Sequence, residues 1–323
     1  MTPCLAGLRQ QIFGISLKET TFAQRCFHQG DARSQQRLEQ IGEIFLFGYH
    51  TALRYDRSEV LAHQLNQVEL ELRGFAFEGA AMGLALQDAL IPWRRNRLHN
   101  FLAGPGAAHV YMVHVGVGWV LARLHQRVKP FLQRLDPLLG WLTVDGYGFH
   151  EGYFHWQWAV AEQIVPNRLS GYACRVFDQG LGRSLWFIDG GDVARIPVTI
   201  SQFPTARQAD LWSGVGLACA YAGGVERAGI EALRQSAGIY LPCIAQGAVF
   251  AAKARQNAGN SSEYTEIACE VLCDCSANAA AKIADIALEQ LPIGTEPAYE
   301  IWRRRIQAQF AIKQVQPYMN SCR

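Results

Sequence analysis

"SGVGLACAYAGG", Ser213 to Gly224, sets two glycines inside a run of Ala, Leu, Val and Tyr at helical spacing. A glycine within a helix costs about 1 kcal/mol relative to alanine, so its recurrence needs a physical reason. The reason that fits is a second helix approaching too closely for a side chain. Similar stretches recur: "FEGAAMG" from Phe77, "HVGVGW" from His114, "HEGYFHW" from His150, "DQGLGRSLW" from Asp178, "WSGVGLA" from Trp212 and "AQGAVFA" from Ala245. Aligned on the first glycine, Gly79, Gly116, Gly152, Gly180, Gly214 and Gly247 are 37, 36, 28, 34 and 33 residues apart. Helix-turn-helix arrays repeat at about 34 residues. Fainter copies flank the set at "LFGYH", with Gly48, and "CSANAAA", where Ala277 takes the glycine's place. The spacing predicts an all-α fold, a helical-repeat array of helix-turn-helix pairs in a solenoid or a closed ring.

Second helices fit between the glycine helices. Val225–Gly238 and Ser261–Cys275 are amphipathic, with Ser261 or Ser262 as a starting cap and Gly223, Gly238 and Gly259 as stops. "RSLWFIDGGD" and "VARIPVTISQF" are the best strand candidates, or else a long connection between repeats. The first forty residues read as a polar lead-in followed by a helix capped near Asp31 or Ser34. No linker rich in Pro, Gly and Ser divides the chain. The expected organisation is a lead-in over residues 1–40 packed on one helical domain over 41–323.

The 323 residues are half apolar, ample for a core and unlike a disordered chain. Lys and Arg number 30 against 28 Asp and Glu, so no charge field points to nucleic acid. The densest basic runs, Trp93–His99 and Trp302–Gln307, read as solvated helix faces. The opening residues carry no basic-then-apolar leader, and no run approaches the roughly 18 apolar residues of a transmembrane segment. A soluble, cytoplasmic protein is expected. Its nine cysteines are scattered and read as free thiols; Cys269 and Cys273 share a helix face, but no CxxC pair accompanies them.

Several titratable residues sit one or two positions before the aligned glycines: Glu78, His114, His150, Glu151 and Asp178. Stacked repeats would place them on one ribbon. Glu151 and His155 are four apart and can pair on one helix face. A histidine beside carboxylates suits general acid–base work, so Glu78, His114, His150, Glu151, His155 and Asp178 are the candidate catalytic residues. The same groups can equally serve as hydrogen-bonders to neighbouring backbone. His150 and His155 are five apart, about 140° on a regular helix, and cannot chelate together from one. A metal reading would use Glu151 and His155 with His114 or Asp178, in carboxylate and imidazole ligation that suits iron, zinc or manganese. No assigned metal or cofactor follows from it. The aromatics Phe149, Tyr153, Trp156, Trp186 and Trp212 are candidate walls of an apolar cleft, with core packing as the alternative. The chain has no P-loop, no G-x-S-x-G elbow, no H-E-x-x-H and no complete G-x-G-x-x-G.

"RGFAFEGAAMGLALQDAL", "HVYMVHVGVGW", "DGYGFHEGYF", "FDQGLGRSLWF", "ADLWSGVGLACAYAGG" and "AQGAVFAAKARQNAGN" resemble the family of unknown function typified by the UnbL proteins of enediyne biosynthetic clusters. The resemblance runs in order from Leu8 to Ala281. It implies a soluble accessory protein of a specialised-metabolite pathway, travelling with polyene-making polyketide synthases. The implied partners are a hydrophobic polyene or polyketide intermediate and other proteins of the same pathway. Two functions follow as expectations. One is binding and acid–base transformation of a polyene; the other is a non-catalytic scaffold whose concave face holds a pathway protein.

Overall fold

The structure, a computed structural model, describes residues 3–55, 57–90, 96–292 and 294–319. Among them all regular structure is helical. An N-terminal strap holds α1 (Pro3–Phe13), a 3-10 turn at Leu17–Thr20 and α2 (Phe22–Arg25). Next come α3 (Ala32–Arg54), α4 (Ser58–Leu65), α5 (Arg73–Leu90), α6 (Arg97–Ala103), α7 (Val110–Arg123), α8 (Val128–Leu132) and α9 (Leu142–Trp156). The second half holds α10 (Tyr172–Ile188), α11 (Arg195–Ser201), α12 (Thr205–Ala222), α13 (Arg227–Ala237) and α14 (Leu241–Ala258). Three further helices, α15 (Glu263–Cys273), α16 (Ala277–Leu288) and α17 (Ala298–Met319), pack on α14.

The long glycine helices α3, α5, α7, α9, α10, α12 and α14 stand side by side in chain order. Four of them carry Gly-x-Gly. Residues two apart on a helix point about 200° apart, so the two glycines face opposite neighbours. A β-carbon on Gly116, Gly146, Gly180 or Gly214 would overlap a carbonyl oxygen of the preceding helix. One on Gly118, Gly148, Gly182 or Gly216 would overlap a carbonyl of the following helix. Gly247 repeats the first contact against Ser213. The motif is thus a two-sided contact that lets backbones touch on both flanks.

The contacts shift one repeat. Gly152 meets Ser184 and Leu181 of α10, whereas Gly146 meets Val115 of α7. The counterpart of Gly79, Gly116, Gly180 and Gly214 is therefore Gly146, and Asp145, not Glu151, holds the position of Glu78 and Gln179. Neighbouring helices also run in the same direction rather than as antiparallel pairs. Gly79 meets Phe45 and Tyr49, and Gly83, one turn on, meets Tyr49 and Ala52, so the register of α3 and α5 advances together. The short helices α4, α6, α8, α11 and α13 lie in the returns.

Side-chain contacts tie the two ends of the row together. Ser34 Oγ donates to the Gly224 carbonyl at 2.6 Å, and Arg37 Nε to Ala222 at 3.2 Å. Phe75 stacks edge-on against Tyr221, and Arg255 Nη1 donates to the Glu71 carbonyl at 3.0 Å. The N-terminal ends of α3 and α5 thereby meet the C-terminal ends of α12 and α14.

Other expectations change with the fold. The strand candidates are helical: "RSLWFI" completes α10, and Ile196 and Ile200 of α11, four apart, are both buried on its inner face. Gly190 and Gly191 turn the chain between them at positive φ. Helix α3 begins at an Asp31 cap and runs through residue 40, so the lead-in and the main domain share an element. Gly223, Gly238 and Gly259 cap α12, α13 and α14 as read. The basic run at Trp302 is a solvated face only in part, since Arg304 is 54% exposed but its neighbour is not. Arg303 is buried, donating to Asp210 at 2.7 Å, while Arg175 bridges Asp210 and Glu300 at 2.9 and 2.6 Å. This network pins α17 against α10 and α12. Residues 93–95 of the other basic run lie outside the described residues. The buried thiols of Cys269 and Cys273 donate to the carbonyls of Ala248 and Ala245. One stretch, Arg227–Ala258, is long and apolar enough to cross a membrane, but 61% of its window is buried and Gly238 turns the chain within it.

Candidate functional site

Counting from the first glycine of each Gly-x-Gly pair, and from Gly79 in α5, the residue before it and the third and seventh after it fall on one face, because steps of four residues return to the same side. The third-after position holds Trp119, Phe149, Arg183 and Leu217. The seventh-after position holds Tyr153, Phe187 and Tyr221, and Glu78 holds the position before. All eight line one interior cavity of about 50 Å³ between the row helices. Ile15, Glu19 and Thr20 of the strap form its outer wall.

Glu78 and Arg183 bring ionisable groups into this aromatic interior. Trp119 Nε1 donates to Glu78 Oε1 at 3.1 Å. Burial pushes the Glu78 carboxyl up to about 7, against the pull of Arg183 and the indole hydrogen bond. Arg183 is held by Asp145, which also accepts from Gln179 Nε2 at 2.7 Å; Gln179 donates to the Tyr299 hydroxyl at 2.9 Å. Arg183 has its counter-ion in Asp145, and Glu78 is left balanced between its two protonation states near neutrality.

A second cluster lies next door. Inside α9 the backbone leaves the helix at His155, with φ −132° and ψ 38°, and a π-helical turn follows over Gln157–Ala161. The break swings His155 back toward His150. Glu151 sits between them, with His150 Nδ1 3.2 Å from Oε1 and His155 Nδ1 3.1 Å from Oε2. Burial favours the neutral Glu151 carboxyl, yet the two histidine contacts outweigh it and hold the group down at about 2. Burial lowers His150. The break also frees carbonyls that α2 satisfies: Arg25 donates to Tyr153 at 2.9 Å and to Phe154 at 2.6 Å. Trp156 Nε1 returns a bond to the Arg25 carbonyl at 3.0 Å.

His150 and His155 open onto a cleft of about 520 Å³, together with Arg25, Arg123 and His125. Ile15, Glu19 and Phe154 line both this cleft and the interior cavity, so one layer of side chains separates the two.

The candidate residues divide accordingly. Glu78, Phe149 and Tyr153 line the cavity, and His150, Glu151 and His155 form the neighbouring cluster. His114 is buried in α7 with Nδ1 2.8 Å from the Val110 carbonyl and its pKa lowered by burial. Asp178 is bound by Arg207 at 2.6 Å, its carboxyl raised to about 6 by burial. Neither joins the ribbon. Residues one and two before a glycine point about 100° apart, so they look at different neighbours. Trp186 is a core residue donating to the Gly223 carbonyl at 2.9 Å; Trp212 is buried in α12 and Trp156 braces the strap. None of the three lines the cavity. Arg183, Trp119, Asp145 and Arg25 were absent from the sequence-derived set. For Trp119 and Arg183 the signal was present, since each directly follows a Gly-x-Gly.

A family model described as a protein of unknown function (DUF1702) matches residues 4–310. The chain belongs to the DUF1702 family. The matched span of this DUF1702 chain takes in the strap, all seven glycine helices and α17 as far as Phe310. No curated protein and no solved structure matches it.

Proposed function

We propose that this DUF1702 protein binds an apolar, chain-like molecule between its row helices, with the polar end of that molecule in the cleft. The observation that carries the proposal is the aromatic interior itself, built from one face of successive helices and holding Glu78 near neutrality. The resemblance to UnbL proteins supplies the chemical class, a conjugated polyene or polyketide intermediate of a specialised-metabolite pathway. A space of about 50 Å³ is well below the roughly 150 Å³ that holds one benzene, so occupancy by a chain requires Phe154 and the strap to move and join cavity to cleft. Glu78 is the group placed to give a proton to a conjugated chain and take one back. Such a step shifts double bonds with no net oxidation, and a carboxyl poised near neutrality suits it. The scaffold reading needs an open concave face. The side chains of that face line an interior cavity, which favours a small-molecule ligand.

Titration with a fluorescent conjugated fatty acid tests this directly. Saturable binding with quenching of tryptophan emission is the expected result, abolished by Leu217→Trp, which fills the cavity. Glu78→Gln should bind equally well and lose any double-bond isomerisation. Binding unchanged by Leu217→Trp, or no binding at all, overturns the proposal.

A further inference from the structure

We propose that His150, Glu151 and His155 bind a divalent first-row transition metal ion at the floor of the cleft. The inference is independent of what occupies the interior cavity. It starts from a backbone irregularity. On a regular helix His150 and His155 would diverge by about 140° and could not share an ion. The break at His155, which a π-turn follows, turns its side chain off the regular-helix direction, and the two imidazole rings lie 5.8 Å apart. π-bulges of this kind occur frequently at functional sites. This one is actively maintained, because the freed carbonyls of Tyr153 and Phe154 are both taken up by Arg25 from another element.

The outcome is three ligand atoms converging. The side-chain ligand atoms of His150, Glu151 and His155 all lie within 4.8 Å of one another. The two nitrogen–oxygen separations are 3.2 and 3.1 Å. Bonds of about 2.0–2.1 Å to a zinc-like ion place neighbouring ligand atoms roughly 3.0–3.4 Å apart in octahedral or tetrahedral geometry. The two histidine–carboxylate edges already have that spacing, and the remaining edge, within 4.8 Å, closes by side-chain rotation. Two imidazoles and one carboxylate are the donor set that suits zinc, iron or manganese, and they leave coordination positions open.

Burial orders the site. His150 and Glu151 side chains are 6% and 9% exposed, while His155 is 53% exposed at the mouth. The His150 ring packs against Trp119 and Phe154, which holds the inner ligand in place. An ion here would face the cleft, not the protein interior. One carboxylate leaves a dication with net positive charge, and Arg123 adds to it, while Arg25 is paired with Glu19 at 2.8 Å. The open positions thus favour an anionic ligand such as a carboxylate.

A metal-free triad is the competing arrangement, with both imidazole N–H groups donating to Glu151. The two are separated by measuring metal itself. The full-length protein, treated with chelator and dialysed, is titrated calorimetrically with Zn²⁺ and Mn²⁺, and with Fe²⁺ under anaerobic conditions. The proposal expects one ion per chain for at least one of these metals, with affinity falling by about 100-fold or more in Glu151→Gln and in His155→Ala. His63→Ala, an exposed histidine on α4 remote from the cluster, should leave binding unchanged. Because Glu151 is buried, circular dichroism checks the folding of Glu151→Gln; half-exposed His155 supplies the variant expected to fold regardless. Sub-stoichiometric uptake of all three metals, or equal uptake by His155→Ala, overturns the proposal.

Discussion

Replacing Gly214 by alanine is the sharpest probe of the two-sided glycine contact. In an exposed helix interior this change stabilises by about 1 kcal/mol, through the unfolded chain and the helix propensity. At Gly214 the new β-carbon lands on the Gln179 carbonyl oxygen and 2.6 Å from the Arg183 nitrogen. Both are main-chain atoms of α10, so no side chain can rotate away. Restoring ordinary contact requires α10 and α12 to part by roughly an ångström, and overpacking of this kind costs about 1–3 kcal/mol or more. The net expectation is destabilisation of about 1–3 kcal/mol, a fall in Tm of several degrees for a chain this size. Gly7 supplies the control of opposite sign. It lies within α1 with nothing within 4 Å of an added β-carbon, so Gly7→Ala should leave Tm unchanged or raise it. Thermal unfolding by circular dichroism reads both. Gly214→Ala matching or exceeding wild type would refute the claim that these glycines set the helix spacing.

The raised Glu78 carboxyl predicts a pH dependence of known sign. Its folded pKa of about 7 exceeds the unfolded value of 4.5, so the folded chain holds a proton that the unfolded chain releases between those limits. Stability is then greatest below pH 4.5 and falls as pH rises to about 7, by on the order of 3 kcal/mol from this group. Glu78→Gln should lack that fall, so its advantage over wild type in urea unfolding should widen between pH 4.5 and pH 8; a constant difference would contradict the assignment. Arg25→Ala should cost about 2–3 kcal/mol by leaving the carbonyls of Tyr153 and Phe154 without their charged donor. Hydrogen exchange should then speed up over residues 153–161, and exchange unchanged there would show that the strap does not hold the break.

Much of this architecture was legible because an internal helical glycine is costly and only a close neighbour explains it. That argument placed Gly79, Gly116, Gly180, Gly214 and Gly247 correctly. It failed at α9, where Gly146, Gly148 and Gly152 offer three registers. The acid before Gly152 imitated "FEG" at Gly79, so Glu151 was matched to Glu78. Only contact with α7 selects Gly146. The meeting of the two ends of the row was not legible either, since it rests on Ser34, Arg37 and Glu71 meeting residues 184 to 191 positions distant. Nor was the proximity of His150 to His155, because a regular helix forbids it and the break is secured from α2. The helices mistaken for strands carry β-branched residues, but Ile196 and Ile200 are spaced for a helix face, and burial on that face overrides their strand propensity.

Native mass spectrometry of the protein purified from its own host tests the central claim most directly. The account predicts a species heavier than the bare chain, releasing on denaturation an apolar conjugated compound that is absent from the Leu217→Trp variant. A bare-chain mass under native conditions, with wild type and Leu217→Trp indistinguishable and neither taking up a conjugated chain when it is supplied, would contradict it.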